Sequence, residues 1–275
     1  MLKPQLTIQL SDAQRIPQVG LGVWQASDDE ARAAVRVALE EGYRHVDTAS
    51  IYGNEKGVGE GIRDAGTPRE QVFLTTKIWN DAHGFEAARV ALNESLERLK
   101  VDYVDLLLIH WPAPSQDNYV DTWRALIDAQ RNGKARSIGV SNFNQEHLQR
   151  LIDETGVAPV LNQIELHPFM QQAELRQAHQ HMGISTQSWS PLGQGSALTN
   201  PVILEIAQKH SRTAAQIIIR WHLELGLIAI PKSITPSRIR ENFNVFDFAL
   251  DDSDLVAIAA LESAKRLGPD PSTFA

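Results

Sequence analysis

The order of apolar, helical and turn segments predicts an α/β fold: a (β/α)8 TIM barrel with an N-terminal hairpin and extra helices near the C-terminus, one domain over residues 1–275. Three observations carry this. Eight short β-rich runs alternate with amphipathic helical stretches at intervals of roughly 25–40 residues, the length suits one barrel of about 250 residues, and no linker-like composition break interrupts the alternation. A barrel gathers every strand's carboxyl end on one face, which is where the fold carries its site.

The opening residues to Pro17 read as a hairpin turning around Ser11 and Asp12, placed to plug the barrel's lower end, and QVGLGVW (18–24) is the first buried strand. Ser27 followed by Glu30 is a capping-box signal; Ala31, Val35, Ala38 and Leu39 then make one apolar face, and Gly42 ends the helix. HVDT (45–48) is the second strand, residues 54–65 are helical despite their glycines, and Pro68 punctuates the return. VFLTTK (72–77) precedes a helix with Phe85, Ala88, Leu92, Leu96 and Leu99 on one stripe. VDLLLIH (104–110) is followed by a helix carrying Val120, Trp123 and Ile127, and then by RSIGV (136–140). Asn144 caps a helix with Leu148, Leu151 and Ile152 inward; VLNQIE (160–165) leads into a helix over 170–181. ISTQSW (184–189) and GLIAIP (226–231) are the last two strands, separated by helical stretches at 201–210 and 213–225, one more than the alternation requires. Thr235 and Pro236 form an N-cap and first-turn pair for a helix towards Val245, and a helix over 252–263 precedes a tail broken by Gly and Pro.

Composition excludes several classes of function. A formal charge of −8 without a basic tract argues against a nucleic-acid or anionic-membrane partner. With no cysteine there is no disulfide framework, thiolate nucleophile or Cys-ligated zinc. The amino terminus has no apolar segment of signal-peptide length, and the apolar stretch from Ile217 to Ile230 is interrupted by Arg220, His222 and Glu224. A soluble, cytoplasmic monomer with a small-molecule partner rather than a nucleic acid or a membrane is the expectation.

Asp47, with Tyr52 just beyond it, then Lys77 and then His110 stand at the ends of three successive strand runs. Singly, each has an ordinary explanation: a turn cap, a snorkelling amine, a satisfied core histidine, a packed loop aromatic. Together at one sheet edge, acid, cation, carboxylate and imidazole suit proton transfer to a carbonyl. Trp24, Trp79 and Trp111 also follow strand ends, so with His110 they form a candidate substrate pocket, though any one indole is equally well ordinary core. A Rossmann fingerprint and a P-loop are both missing. What remains is the barrel's phosphate site beyond strands seven and eight, where SPLGQG follows Trp189 and Lys232, Ser233, Thr235 and Arg238 stand at a helix start. The ordinary alternative makes Thr235 only a cap and Arg238 a solvated charge.

The stretches DTASIYGNE, the Lys77 strand end, IHWP, GVSNF, LNQIELHP and IPKSITPSRIREN, in this order from Gln18 to the tail, resemble the aldo-keto reductases. With LGPDP near the end, they are most similar to the bacterial 2,5-diketo-D-gluconate reductases. The resemblance implies NADPH-dependent reduction of aldehydes and ketones, with Tyr52 as proton donor, Lys77 and Asp47 tuning it, and His110 orienting the carbonyl. Chemistry agrees: hydride addition leaves an alkoxide that must be protonated, and a Lys77 ammonium lowers a tyrosine pKa that is ordinarily about 10. It further implies Ser141, Asn142 and Gln163 on the nicotinamide carboxamide, Trp189 stacked where many members have tyrosine, and Ser190, Leu192, Gly193 and Gln194 on the pyrophosphate. Lys232, Ser233, Thr235 and Arg238 would take the 2′-phosphate, and Glu241 with Asn242 the adenine. The expected substrates are 2,5-diketo-D-gluconate and small dicarbonyls or β-keto esters; the short tail leaves little to wall off a pocket for steroids.

Two rival readings are open. A metal-dependent barrel hydrolase would need a histidine cluster, and His179 with His181 is the only close pair, so no metal site is expected. A non-catalytic NADPH-binding sensor subunit is the other; the intact set Asp47, Tyr52, Lys77 and His110 counts against it.

Overall fold

The computed structural model describes residues 5–274; residues 1–4 and 275, part of the expected domain and hairpin, lie outside the described residues. Eight parallel strands form one sheet: β3 (Leu21–Gly22), β4 (His45–Asp47), β5 (Phe73–Ile78), β6 (Val104–Ile109), β7 (Ala135–Ser141), β8 (Leu161–Glu165), β9 (Ser185–Trp189) and β10 (Ile228–Ala229), in sequence order. Parallel bridges Val19↔Ala229 and Gly22↔Lys232 join its two edges and close the barrel. The first and last strands are far shorter than their apolar runs. Their contact is carried instead by separate bonds, Gly20 N–H to the Ala229 carbonyl (2.9 Å) and Gly22 N–H to the Pro231 carbonyl (3.2 Å).

The hairpin β1 (Thr7–Gln9) and β2 (Arg15–Pro17) plugs one end as expected. Its Leu10 and Ile16 pack with Leu106, Leu108, Leu161 and Ile228 of the barrel, each buried aliphatic contributing about 1.5–3 kcal/mol. Ser137 Oγ donates to Asp12 at 2.7 Å, tying the turn to β7.

Helices α1 (Asp28–Glu40), α2 (Glu55–Asp64), α3 (Phe85–Leu99), α4 (Tyr119–Arg131), α5 (Gln145–Thr155), α6 (Ala173–Met182), α7 (Pro201–His210), α8 (Ala214–Glu224), α9 (Pro236–Phe243) and α10 (Asp252–Ala259) surround the strands. Ser27 and Glu30 form the expected reciprocal cap of α1. The glycines of α2 have a packing reason: a Cβ on Gly57 would lie 2.1 Å from the Asp28 carbonyl oxygen, and one on Gly59 2.1 Å from that of Leu99. They let α2 lie against its neighbours, at a helix-propensity cost of about 1 kcal/mol each.

Several boundaries differ from the periodicity. Phe85, the first residue of α3, is exposed rather than on its buried stripe, and Ile127 and Ile152 are only half-buried. Helix α6 starts at Ala173, since Met170 pairs with His167 in a tight turn, and α10 ends at Ala259. SPLGQG runs through a turn into the 3-10 stretch Gly193–Thr199, which is kinked at Gln194 and Gly195, where the backbone is left-handed (φ 50° and 93°). Among the described residues, no helix is long and apolar enough to cross a membrane.

Candidate active site

Strands β4, β5 and β6 are neighbours in register, with Asp47 opposite Thr75 and Lys77 opposite Leu108, so Asp47, Lys77 and His110 emerge side by side. Tyr52 reaches them from the 3-10 turn Ser50–Tyr52, which is fastened by Ser50 Oγ donating to the Lys77 carbonyl at 3.0 Å. Lys77 is fully buried; its Nζ donates to Asp47 Oδ1 at 2.6 Å and to the Thr48 carbonyl at 2.8 Å, and lies 3.5 Å from Tyr52 Oη. Asp47 Oδ2 accepts from Gln163 Nε2 at 2.7 Å, and the same nitrogen donates to Gln187 Oε1 at 2.7 Å. Both carboxylate oxygens are therefore satisfied, as a buried charge requires.

These surroundings set the protonation states. Burial disfavours the Lys77 ammonium, but Asp47 and Tyr52 outweigh it and raise the lysine pKa, so the cation persists. Tyr52 departs from expectation: burial dominates and raises its pKa, with Lys77 only partly opposing it. The phenol is held protonated rather than poised towards phenolate. Burial first, and the Lys77 charge second, push His110 well below its ordinary value, so it is a neutral imidazole at pH 7. Its ring sits edge-on to Tyr52 and Trp79, with centroids 5.6 and 5.0 Å away.

A cavity of about 570 Å³ opens over these groups, walled on one side by Trp24, Ile51, Trp79 and Trp111. Trp24 is the outermost, 44% exposed. The tail adds Leu267, Gly268, Pro269 and Phe274, with the Phe274 ring 4.6 Å from Trp111. These residues give the cavity a wall that the sequence reading did not expect.

Asn142, Gln163, Trp189, Ser190, Gln194 and Lys232 line the other half of the cavity. Asn142 and Ser190 take left-handed backbone (φ 64° and 49°) just past β7 and β9, a conformation Asn tolerates and one common at functional strand ends. Asn142 Nδ2 donates to the His110 carbonyl and to Ser141 Oγ, both at 3.0 Å, while Trp189 Nε1 donates to its Oδ1 at 2.7 Å. An indole at this place thus orients the amide as well as offering a flat face. Ser141 Oγ in turn donates to the Gln163 carbonyl at 2.8 Å. Leu192 and Gly193 shape the turn behind this wall, where Gly193 N–H donates to the Ser190 carbonyl at 2.8 Å.

Ser233, Thr235, Arg238, Glu241 and Asn242 lie along α9 and its entry, outside the cavity lining. Thr235 occupies the N-cap position, yet its side chain makes no capping bond; Arg238 is exposed and has no ion-pair partner among the described residues. Hydroxyl, guanidinium and first-turn amides are left for an anion, which fits a cofactor phosphate. Glu241 accepts from Thr213 Oγ at 2.7 Å, and Asn242 is buried.

Sequence reasoning passed over Gln187 and Glu165, and it read the tail only as too short to wall off a deep pocket. Gln187 is an inward-facing polar residue in a buried strand, a period-two signal that could have marked it. Glu165, at the end of β8, satisfies the same strand-end rule that picked out Asp47 and Lys77. The rival metal pair does not converge. His179 is buried against Asn162 Nδ2 (2.9 Å) and Thr186 Oγ (2.8 Å), whereas His181 is exposed.

Residues 18–263 match the model of the aldo/keto reductase family. An aldo-keto reductase of Mycolicibacterium smegmatis is 54% identical over 273 residues, covering 99% of this chain and 98% of that one. The methylglyoxal reductase DkgA of Escherichia coli is 54% identical over 269 residues, 97% of each chain. Among solved structures, a variant of Gox0644 in complex with NADPH superposes with a TM-score of 0.95 at 49% identity, covering 98% of this chain and 99% of that one.

Proposed function

This chain belongs to the aldo/keto reductase family, and on that premise we propose that it reduces small, electron-poor aldehydes and ketones to alcohols with NADPH, using Tyr52 as acid. The observation that carries the reading is the buried group Asp47, Lys77 and His110 with half-buried Tyr52 beside it, under an aromatic cavity.

NADPH, when bound, supplies the hydride. Trp189 would offer its ring face to the nicotinamide, and Ser141, Asn142 and Gln163 would hold its carboxamide. Ser190, Leu192, Gly193 and Gln194 suit the pyrophosphate, Lys232, Ser233, Thr235 and Arg238 the 2′-phosphate, and Glu241 and Asn242 the adenine. On the substrate side, neutral His110 orients the carbonyl oxygen by hydrogen bonding. Tyr52 gives its proton to that oxygen as negative charge develops there, and the buried Lys77 ammonium stabilises the phenolate left behind. Asp47 keeps the ammonium in place. Water excluded by Trp79, Trp111 and Phe274 strengthens each of these interactions.

The lining also ranks substrates. Lys232 is the one cationic residue among those lining the cavity, and it stands at the cofactor end. A keto acid such as 2,5-diketo-D-gluconate finds no counter-charge of its own, whereas uncharged dicarbonyls resembling methylglyoxal and β-keto esters need none. Uncharged activated carbonyls therefore stand first and 2,5-diketo-D-gluconate second. NADPH oxidation measured against dicarbonyls, β-keto esters, keto-sugar acids and steroid ketones tests this: higher kcat/KM on steroids would reject it, and cofactor binding without turnover of any carbonyl would favour a sensor subunit.

A further inference from the structure

One carboxylate holds the tail on the barrel. Glu165, the last residue of β8, is 1% exposed. Its Oε1 accepts the Leu267 N–H at 2.6 Å and lies 3.0 Å from His167 Nε2, while Oε2 accepts the Gly268 N–H at 2.9 Å. Burial alone would raise this carboxyl's pKa, but His167 and the two tail amides together hold it below the usual range, so the site presents an anion at neutral pH. A charge buried this deeply is tolerable only with such partners, and two of its three are tail backbone.

The next contact makes the seat specific. A Cβ on Gly268 would lie 2.5 Å from Trp189 Cη2 and 3.2 Å from Glu165 Oε2, so tail backbone lies directly on the indole that orients Asn142. Beyond it the chain turns at Asp270, whose carbonyl accepts from the Thr273 and Phe274 amides at 3.1 and 3.0 Å. Asn144 Nδ2 donates to Ser272 Oγ at 2.9 Å. That turn delivers Phe274 to Trp111, across the cavity from Trp189.

We propose that Glu165 is a positioning residue: by accepting the Leu267 and Gly268 amides it fixes the tail, sets the width of the pocket between Trp189 and Trp111, and so selects small carbonyl substrates. Only the kinetic part of this rests on the reductase reading. Glu165→Gln keeps the side chain's volume but removes the charge and turns an NH2 group towards N–H donors. Hydrogen bonds to charged groups typically carry one to two decades in an equilibrium. Amide exchange at Leu267 and Gly268 should therefore accelerate about tenfold or more in the variant, with the central strands unchanged. The KM for methylglyoxal should rise about tenfold with kcat within about twofold, and its preference over a bulky aryl ketone should fall by a similar factor. Gly268→Ala, whose Cβ would meet the Trp189 ring at 2.5 Å and Glu165 Oε2 at 3.2 Å, should push the tail off the same seat and give the same kinetic changes. The double variant should be no worse than either single one, because both break one contact.

Unchanged exchange at the two amides, additive effects in the double variant, or unaltered selectivity in Gly268→Ala would each overturn the proposal. If Glu165→Gln fails to fold, Gly268→Ala decides alone. A wild-type protein that turns over no carbonyl would reject the reductase reading, while the exchange experiment would still judge the anchor.

Discussion

Replacing Lys77 by methionine should separate stability from catalysis. The ammonium is fully buried and donates to Asp47 at 2.6 Å and to the Thr48 carbonyl at 2.8 Å. Methionine fills the same space but leaves the Asp47 carboxylate with only Gln163 as a donor. Removing one partner of a buried ion pair typically costs about 3–5 kcal/mol, which for a chain of this size lowers Tm by roughly 6–20 °C. Adding Asp47→Asn removes the stranded charge, so the double variant should recover most of that loss. Activity should recover in neither, because the tyrosyl proton then leaves without a cation beside it. Tyr52→Phe is the matching control. Its hydroxyl meets Lys77 only at 3.5 Å, a long contact, so Tm should stay within about 3 °C of wild type. Loss of the general acid should nonetheless lower kcat by about 10²–10⁴, roughly 3–5 kcal/mol of barrier, with NADPH affinity retained. Calorimetry and single-turnover reduction read the two effects. A Lys77→Met protein melting like wild type, or a double variant melting below both single ones, would refute the reasoning.

Burial raises the Tyr52 pKa and reduction consumes the protonated phenol, so the rate should be level through neutral pH and fall only above tyrosine's ordinary value of about 10. His110 is already neutral at pH 7, so a break near 6.5 in the kcat/KM profile would contradict its assignment. Arg238→Ala should weaken NADPH binding by about one to two decades and leave NADH nearly unaffected, as expected for a lost charge-assisted bond to the 2′-phosphate. Equal losses in calorimetric titrations with the two cofactors would remove Arg238 from that role.

Much of the architecture was legible because it is written in short-range periodicity. Runs such as VDLLLIH alternate with amphipathic stretches, and the caps at Ser27 and Asn144 are local chemistry that the fold retains. The misplaced boundaries are those where a neighbour decides. Phe85 continues the α3 stripe in sequence but is left exposed at the start of the helix, and Met170 has helical spacing but bonds His167 across a turn. Asp47, Lys77 and His110 were legible for a related reason: barrel geometry brings residues at or beside a strand's end to the mouth, so such chemistry can be counted along the chain, whereas Tyr52 reaches it from a 3-10 turn.

By itself, then, the sequence determined the barrel, the face that carries the site and the identity of the groups converging there, since each follows from patterns within a few residues. Only the tertiary structure decided their electrostatics and their enclosure. The sign of the Tyr52 shift comes from a balance between burial by the whole mouth and the single charge of Lys77. The tail's seat on Glu165 joins residues 102 positions apart. Desolvation and long-range contact are sums over whatever folding brings near, and no local pattern carries those sums.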